Sequence, residues 1–318
     1  MEWETGITNL LHIEYPIVQG GLAYLAYADL AAAVSNAGGL GQITAMSLSG
    51  PGELRAEIQK VKTMTDKPFG VNFAIGQHGR TFEHMVQVAI DEGVPVVSVT
   101  GGNPKGVLDM VKEHPIKKLV LTAARRQAEK AEELGADAVM VVGQEGGGHL
   151  GRSDTGTFVL TPQVADSVSI PVIASGGIVD GSGMMAAFAL GAEGIEMGTR
   201  FIATKECVHA HANYKQALLD ADENATVVIK HSLGTPARAL KNPWTEEILE
   251  LEKQYGDYES LKTHISGEAN KNYIHSGEET KGFGWAGQGA GRIHAIPTVE
   301  ELIHSMMNEA ASIRRKWC

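Results

Sequence analysis

Short apolar runs and helix-like segments alternate about eight times along this 318-residue chain, and that alternation limits the fold more than any other feature. The runs are PIVQG from Pro16, GLGQIT from Gly39, FGVNF from Phe69, VVSVTGG from Val96, KLVLTA from Lys118, AVMVVG from Ala138, PVIASGG from Pro171 and GIEMGTRF from Gly194. Between them lie helical patterns such as YADLAAAVSNAGG, PGELRAEIQKVKTMT and RRQAEKAEELG, several of which stop at a glycine, as at Gly38, Gly93, Gly135 and Gly191. Parallel strands joined by crossover helices have this rhythm and these short connections. Eight such units predict an α/β chain folded as a closed (β/α)8 TIM barrel; a doubly wound open sheet is the alternative topology.

The rhythm stops near Cys207. Residues 1–207 are expected to form the barrel. Residues 208–275 carry more charged and amide side chains, with helical patterns in HANYKQALLDAD and TEEILELEKQYGDYESLKTHI, and predict a smaller helical insertion or cap beside the substrate. Residues 276–318 give a glycine-rich loop, Pro297 and an amphipathic helix that returns to the barrel. A hydrophobic content of 43% with 20% charged residues supplies an ordinary globular core.

Charge and cysteine usage exclude several classes. With 27 basic and 38 acidic residues the net charge is −11, against the basic footprint that nucleic-acid binding requires. Cys207 and Cys318 are too few and too far apart for a disulfide framework, which suits a reducing cytosol. Glu2, Glu4 and Glu14 break any signal-peptide pattern, and no apolar stretch is long enough to span a bilayer. A soluble cytoplasmic protein without membrane or nucleic-acid partners is the expectation.

In a barrel of this kind the active site lies at the carboxyl ends of the strands. Those ends read Gln19-Gly20-Gly21, Asn72, Thr100-Gly101-Gly102, Gln144 to His149, Ser175-Gly176-Gly177 and Gly198-Thr199-Arg200. Any one of them reads as a tight turn; six on one rim point to a binding site. In ASGGIVDGSGMM a strand ends at Ser175, two glycines bare their N–H groups and a helix follows, an arrangement that cradles phosphate. MGTR comes one unit later, and the loops after strands seven and eight are the usual phosphate site of the fold. Arg200 is read either as a further phosphate contact or as the partner of a barrel carboxylate. The amides of Gln19, Asn72 and Gln144 both donate and accept, which suits the mixed edge of a flavin. FMN carries one phosphate and fits both signals. The competing reading is that these amides satisfy buried backbone groups.

His149 lies in GQEGGGHLG, a loop too bare to bury it in apolar packing. At the catalytic rim it is a candidate general base, although a lone histidine is more often structural or surface. Cys207, His209 and His211 in CVHAH lack a second half with metal-ligand spacing, so no metal site is expected.

PIVQGGLAYLAYADLAAAVSNAGGLGQI, KPFGVNF, GADAVMVVGQEGGGHLG, IPVIASGGIVDG, LGAEGIEMGTRFIATKE and the late AGQGAG together resemble the nitronate monooxygenases, also called 2-nitropropane dioxygenases. The pattern is shared with the FMN-dependent type II enoyl-acyl-carrier-protein reductases, and it covers nearly the whole chain in order. The resemblance implies a flavoprotein oxidoreductase with noncovalent FMN and a smaller domain over the site. Gln19, Gly20, Gly21 and Asn72 would line the isoalloxazine, with Thr100 and Gln144 on the same rim. Gly147 and Gly148 would approach the cofactor, and His149 would hold the family's catalytic position. Ser175, Gly176, Gly177, Gly198 and Thr199 would hold the phosphate, and Ala286, Gly287 and Gln288 would close over the flavin. The implied reaction oxidises alkyl nitronates, or nitroalkanes, with O2 to carbonyl compounds and nitrite, with His149 as base or substrate-orienting residue. Reduction of an enoyl thioester by NAD(P)H is the chief alternative. A purine-nucleotide dehydrogenase would need a loop cysteine, which neither Cys207 nor Cys318 supplies. A non-catalytic flavin-binding protein is a third alternative. Such barrels often associate, so a homodimer is compatible with the sequence.

Overall fold

The structure, a computed structural model, describes residues 3–76 and 81–317; Glu2 and Cys318 lie outside the described residues. Chain order gives the strands β1 (Ile17–Gln19), β2 (Gly41–Thr44), β3 (Phe69–Ala74), β4 (Val96–Thr100), β5 (Lys117–Thr122), β6 (Ala138–Val142), β7 (Gly148–His149), β8 (Val172–Ser175), β9 (Gly194–Met197), β10 (Thr226–Ile229) and β11 (Ala237–Leu240). Eight of them form one parallel sheet in the order β1-β9-β8-β6-β5-β4-β3-β2. Leu40 closes the ring: its N–H donates to Ile17 O and its carbonyl accepts from Gln19 N, each at 2.9 Å. The expected (β/α)8 barrel is therefore present, and the open-sheet alternative is excluded.

Side chains alternate across a strand, so every second residue points into the barrel. The lower interior is apolar, with Val18, Leu40, Val96, Leu119, Met140 and Ile173 packed on Ile7 and Leu11 of the N-terminal helix Gly6–Leu11. That helix plugs the bottom. Counting upward by two from Val18, Leu40, Val96 and Ile173 brings Gly20, Gln42, Ser98 and Ser175 to the upper interior, and register places Asn72 beside Ser98 and Glu196 beside Ser175. The barrel thus changes from apolar to polar along its own axis, and the polar end is the rim that bears the loops.

The segment after Cys207 departs from expectation. It contains helices Ala212–Leu219, Pro243–Gln254 and Gly267–Ser276, but also the antiparallel hairpin β10–β11. β10 is Thr-Val-Val-Ile, β-branched throughout, and such side chains favour strands. The charged composition around it hid this. β11 then pairs with β7, placing Ala237 opposite His149 and Arg238 opposite Gly148. The cap is therefore a mixed unit rather than a helical one, and it takes one of its three strands from a barrel loop. Its small core joins Ile229, Ala239, Ile248, Leu261, Ala269 and Phe283. Phe283 and Trp285 belong to this unit before the chain returns to the barrel through helix Val299–Trp317. Among the described residues no helix is long and apolar enough to cross a membrane.

Candidate active site

The polar floor of the rim is a connected network. Gln42 donates from Nε2 to Gln19 O at 2.8 Å, and its backbone N–H donates to Gln19 Oε1 at 2.9 Å. Ser98 donates to Gln42 Oε1 at 2.5 Å, and Asn72 Nδ2 donates to Ser98 Oγ at 2.9 Å. Gln19, Gln42, Asn72 and Ser98 are all buried. Satisfied networks of this kind hold a polar surface rigid in a low-dielectric interior. Glu196 lies beside them, hydrogen-bonded to Ser175, and burial pushes its carboxyl above the usual carboxylate range.

Above the floor three loops are tied together. The Glu145 carboxylate accepts from Thr157 N at 2.8 Å and from Thr157 Oγ1 at 2.9 Å. Thr157 Oγ1 also lies 3.0 Å from Gly176 O, joining the loop after β6 to the loop after β8. The late segment docks on the loop after β6 and on the turn after β9: Gln288 N donates to Glu145 O, and Gly287 N to Thr199 Oγ1, each at 2.9 Å.

These ties leave donors open. Among the described residues the N–H groups of Gly176, Gly177, Gly198 and Thr199 donate to no protein acceptor. Gly176 and Gly177 both have left-handed backbones, with φ of 96° and 76°, which glycine alone adopts freely. Open N–H groups at two adjacent strand ends fit a phosphate. The helix after β8 does not contribute its terminus as expected. Its N-cap is the Asp180 carboxylate, which accepts from Gly183 N at 2.8 Å and pairs with Arg292. Arg200 reaches neither a phosphate loop nor a barrel carboxylate. Its Nη2 donates to Ala203 O and Ala295 O at 3.4 and 3.0 Å, because the short helix Thr199–Ile202 turns it away from the rim.

The loop after β6 is not bare. Gln144 donates from Nε2 to Gly151 O at 3.0 Å and also to Ser153 O, so its amide holds its own loop. β7 follows, and Leu150 N donates to Pro236 O at 2.9 Å. The histidine backbone is thus held in a sheet. The His149 ring is exposed at the surface, yet protein surrounds it on most sides, which describes the wall of a cleft. Trp285 packs on it with ring centroids 5.6 Å apart. A Cβ at Gly148 would meet nothing within 4 Å, so the space before the histidine is open. Lys230, at the end of β10, brings Nζ to 2.7 Å from His149 Nε2. Burial, and then the Lys230 charge, pull the imidazole down to about 4. Burial likewise lowers the Lys230 ammonium to about 8.

The structure thus brings together Gly20, Gly21, Asn72, Thr100, Gly147, Gly148, His149, Ser175, Gly176, Gly177, Gly198, Thr199 and the Ala286–Gln288 loop at one end of the barrel. Gln19 and Gln144 spend their amides on the protein itself. Sequence reasoning missed Gln42, Ser98 and Glu196, which the two-residue alternation of the strands points to. It also missed Lys230 and Arg238, which belong to a segment read as helical, and Trp285, which lies in the segment read as a late glycine-rich loop. Cys207 is buried in the core, His209 meets the edge of Tyr27, and His211 caps helix Ala212–Leu219. Among the described residues no group of three or more His, Cys, Asp or Glu could hold a metal ion.

Comparison with known proteins shows the family. A probable nitronate monooxygenase of Staphylococcus saprophyticus is 32% identical over an alignment 359 positions long, covering 99% of this chain and all of that protein. The (3aS,4S,5R,7aS)-5-hydroxy-7a-methyl-1-oxo-octahydro-1H-indene-4-carboxyl-CoA dehydrogenase of Mycobacterium tuberculosis is 39% identical over 78% of this chain and 69% of its own length. FabK from Thermotoga maritima superposes with a TM-score of 0.93 at 40% identity, covering 99% of this chain and 98% of that one. The nitronate monooxygenase profile matches residues 4–79 and 73–309. The chain belongs to the nitronate monooxygenase family and is a flavin-dependent oxidoreductase.

Proposed function

We propose that the chain binds FMN across this rim and oxidises alkyl nitronates with O2 to carbonyl compounds and nitrite. The observation that carries the reading is the buried Lys230 side chain, whose Nζ lies 2.7 Å from His149 Nε2 and brings a cation to the wall of the cleft. A nitronate is already an anion, and such a wall attracts it without requiring a base.

The residues present fit the cofactor. The open N–H groups at Gly176, Gly177, Gly198 and Thr199 would hold the phosphate. The amide and hydroxyl surface around Asn72 and Thr100 would face the ring system, with Gln42 and Ser98 holding Asn72 in place from below. The Ala286–Gln288 loop, fixed to Thr199 and Glu145, would close the near side. Bound there, FMN supplies the electron-accepting ring and the reaction with O2. The protein positions the anion and limits water access. The carbon–nitrogen bond of the nitronate breaks and a carbon–oxygen double bond forms. Two nitronate anions and one O2 thus give two carbonyl compounds and two nitrite anions, each oxygen atom of O2 ending in one carbonyl. Charge balances without a proton moving to or from His149.

A second reading has specific support. The mycobacterial relative is named for a carboxyl-CoA thioester, and the likeness to FabK runs the length of both chains. Reduction of an enoyl thioester by NAD(P)H also develops negative charge on a substrate oxygen, which the same wall would stabilise. The deciding experiment is the visible spectrum of the flavin under anaerobic conditions. Bleaching by a nitronate, with NADH and NADPH inert, is the result expected. Bleaching by a nicotinamide, with colour restored by an enoyl thioester, replaces the first reading with the second.

A further inference from the structure

Lys230 occupies a position that suits lysine badly. Its φ is 66°, in the left-handed region that favours glycine or asparagine. Only 9% of the residue is exposed, so its ammonium has lost most of its water. Both features are imposed from outside. Glu252, on helix Pro243–Gln254, accepts Lys230 N at Oε2 (2.9 Å), and accepts Ser232 N and Oγ at Oε1 (3.0 and 2.9 Å). This clamp turns the chain immediately after β10. The Lys230 side chain then crosses to β7 and meets the His149 ring, which Trp285 holds from another side. Strain that the surroundings over-determine concentrates where function needs a geometry.

We propose that Lys230 is a positioning residue that donates an N–H to His149 Nε2 and thereby fixes the imidazole as its neutral Nδ1–H tautomer, a hydrogen-bond donor to a substrate oxyanion rather than a base. The inference rests on the reading that His149 meets the substrate. A neutral imidazole that accepts at one nitrogen carries its proton on the other. A second proton on Nε2 would set an imidazolium against an ammonium at hydrogen-bond distance. The dyad therefore carries one positive charge between the acidic limit of His149, about 4, and the alkaline limit of Lys230, about 8. The charged groups around it are Glu252 beneath the Lys230 backbone, Arg238 on β11, and Glu145, whose charge acts on Arg238. Substrate choice follows: the site favours a preformed nitronate, or an enolate-like oxygen, over a neutral nitroalkane that must lose a proton.

The test is 15N–1H NMR of histidine-labelled, flavin-loaded protein, with the His149 signals assigned by their loss in His149→Gln. The wild type is expected to show the Nδ1–H tautomer with no titration between pH 5 and 8. Lys230→Met is expected to move the titration toward the ordinary 6.5 and to raise KM for a nitronate about tenfold with a smaller change in kcat. Lys230→Arg, which keeps a charged donor, is expected to restore both. An Nε2–H tautomer in the wild type overturns the proposal without any variant. So does a His149 spectrum that Lys230→Met leaves unchanged. Because the NMR readout does not depend on which substrate turns over, the expected tautomer in a protein inert to nitronates supports the dyad and overturns the nitronate reading alone.

Discussion

Arg238 grips the main-chain oxygen of Gln144 with two N–H groups, from Nε at 3.2 Å and from Nη2 at 3.0 Å. One residue is on the cap hairpin; the other closely follows barrel strand β6. Together with the pairing of β11 and β7, this contact decides where the histidine stands relative to the rim. Arg238 is 9% exposed and also reaches Thr226 Oγ1 at 3.1 Å, so its guanidinium is held on both sides. Arg238→Ala would leave the Gln144 carbonyl without its charged donors. Hydrogen bonds from charged groups contribute about 1.5–3 kcal/mol each at most, and the loss is expected to fall in that range. Arg238→Lys keeps the charge without the fork and is expected to recover part of it. Urea denaturation measures the loss, and amide exchange at His149 and Leu150 shows where the structure loosens. A variant within about 0.5 kcal/mol of wild type would remove the clamp from the account.

Gly147 faces Gly287 across the mouth of the site. A Cβ at Gly147 would lie 2.6 Å from Gly287 N, a backbone atom that cannot swing aside. Gly147→Ala must therefore push the late loop off Thr199 and Glu145. The expectation is a folded protein that binds FMN at least about tenfold more weakly, a difference of about 1.4 kcal/mol. Flavin fluorescence during titration reads this directly. Gly52→Ala is the control: it lies in helix Pro51–Met64, with nothing within 4 Å of the added atom. It is expected to leave FMN affinity unchanged.

The barrel was legible because its signal is periodic and repeated. Eight apolar runs with helices between them have few alternative packings, and the rim loops follow from the polarity of the strands. The positions of His149 and of the glycine loops proposed to hold phosphate were legible for the same reason, as polar or glycine residues at predictable strand ends. The cap was not. TVVI at Thr226 to Ile229 is four residues long and surrounded by charge, and the sheet it joins runs through Ala237 to His149, far back in the sequence. Pairing over such separations leaves no local trace. Lys230 was hidden for a related reason, since its importance depends on a left-handed backbone and on a contact 81 residues away. Arg200 shows the opposite failure: a cation next to glycine-rich strand ends reads as a phosphate ligand until the short helix that carries it is seen to turn away.

His149 predicts an acid limb in the stability of the protein. Its folded imidazole titrates at about 4 against an ordinary 6.5. The unfolded chain therefore binds the extra proton first, and stability is lost as pH falls from 6.5 toward 4. His149→Gln removes this term. The difference in melting temperature between wild type and His149→Gln should be constant above about pH 7 and shift in favour of the variant across that window. A difference that stays flat from about pH 7 to 4 would mean that the ring titrates normally and that the Lys230 contact does not hold in solution.

Glu196 predicts the reverse slope. Burial raises its carboxyl above the ordinary carboxylate range, with Ser175 opposing through a hydrogen bond. The folded protein thus holds a proton that the unfolded chain gives up near 4.5. The stability that this group contributes is present below 4.5 and is lost as pH rises through the folded value. Glu196→Gln keeps the shape and the ability to pair with Ser175, and it cannot ionise. The variant should match wild type at about pH 4 and gain on it as pH rises, which melting curves at about pH 4, 6 and 8 would reveal. A carboxyl already ionised in the folded state would give the opposite result, with the variant losing ground above pH 4.5, because a charge held by Ser175 would then be missing. The choice matters for the site: Gly20 lies against this carboxyl, with its Cβ position 2.8 Å from Glu196 Oε1. A neutral Glu196 offers a hydrogen-bond donor beneath the rim, whereas an ionised one would set a negative charge under the surface proposed to carry the flavin.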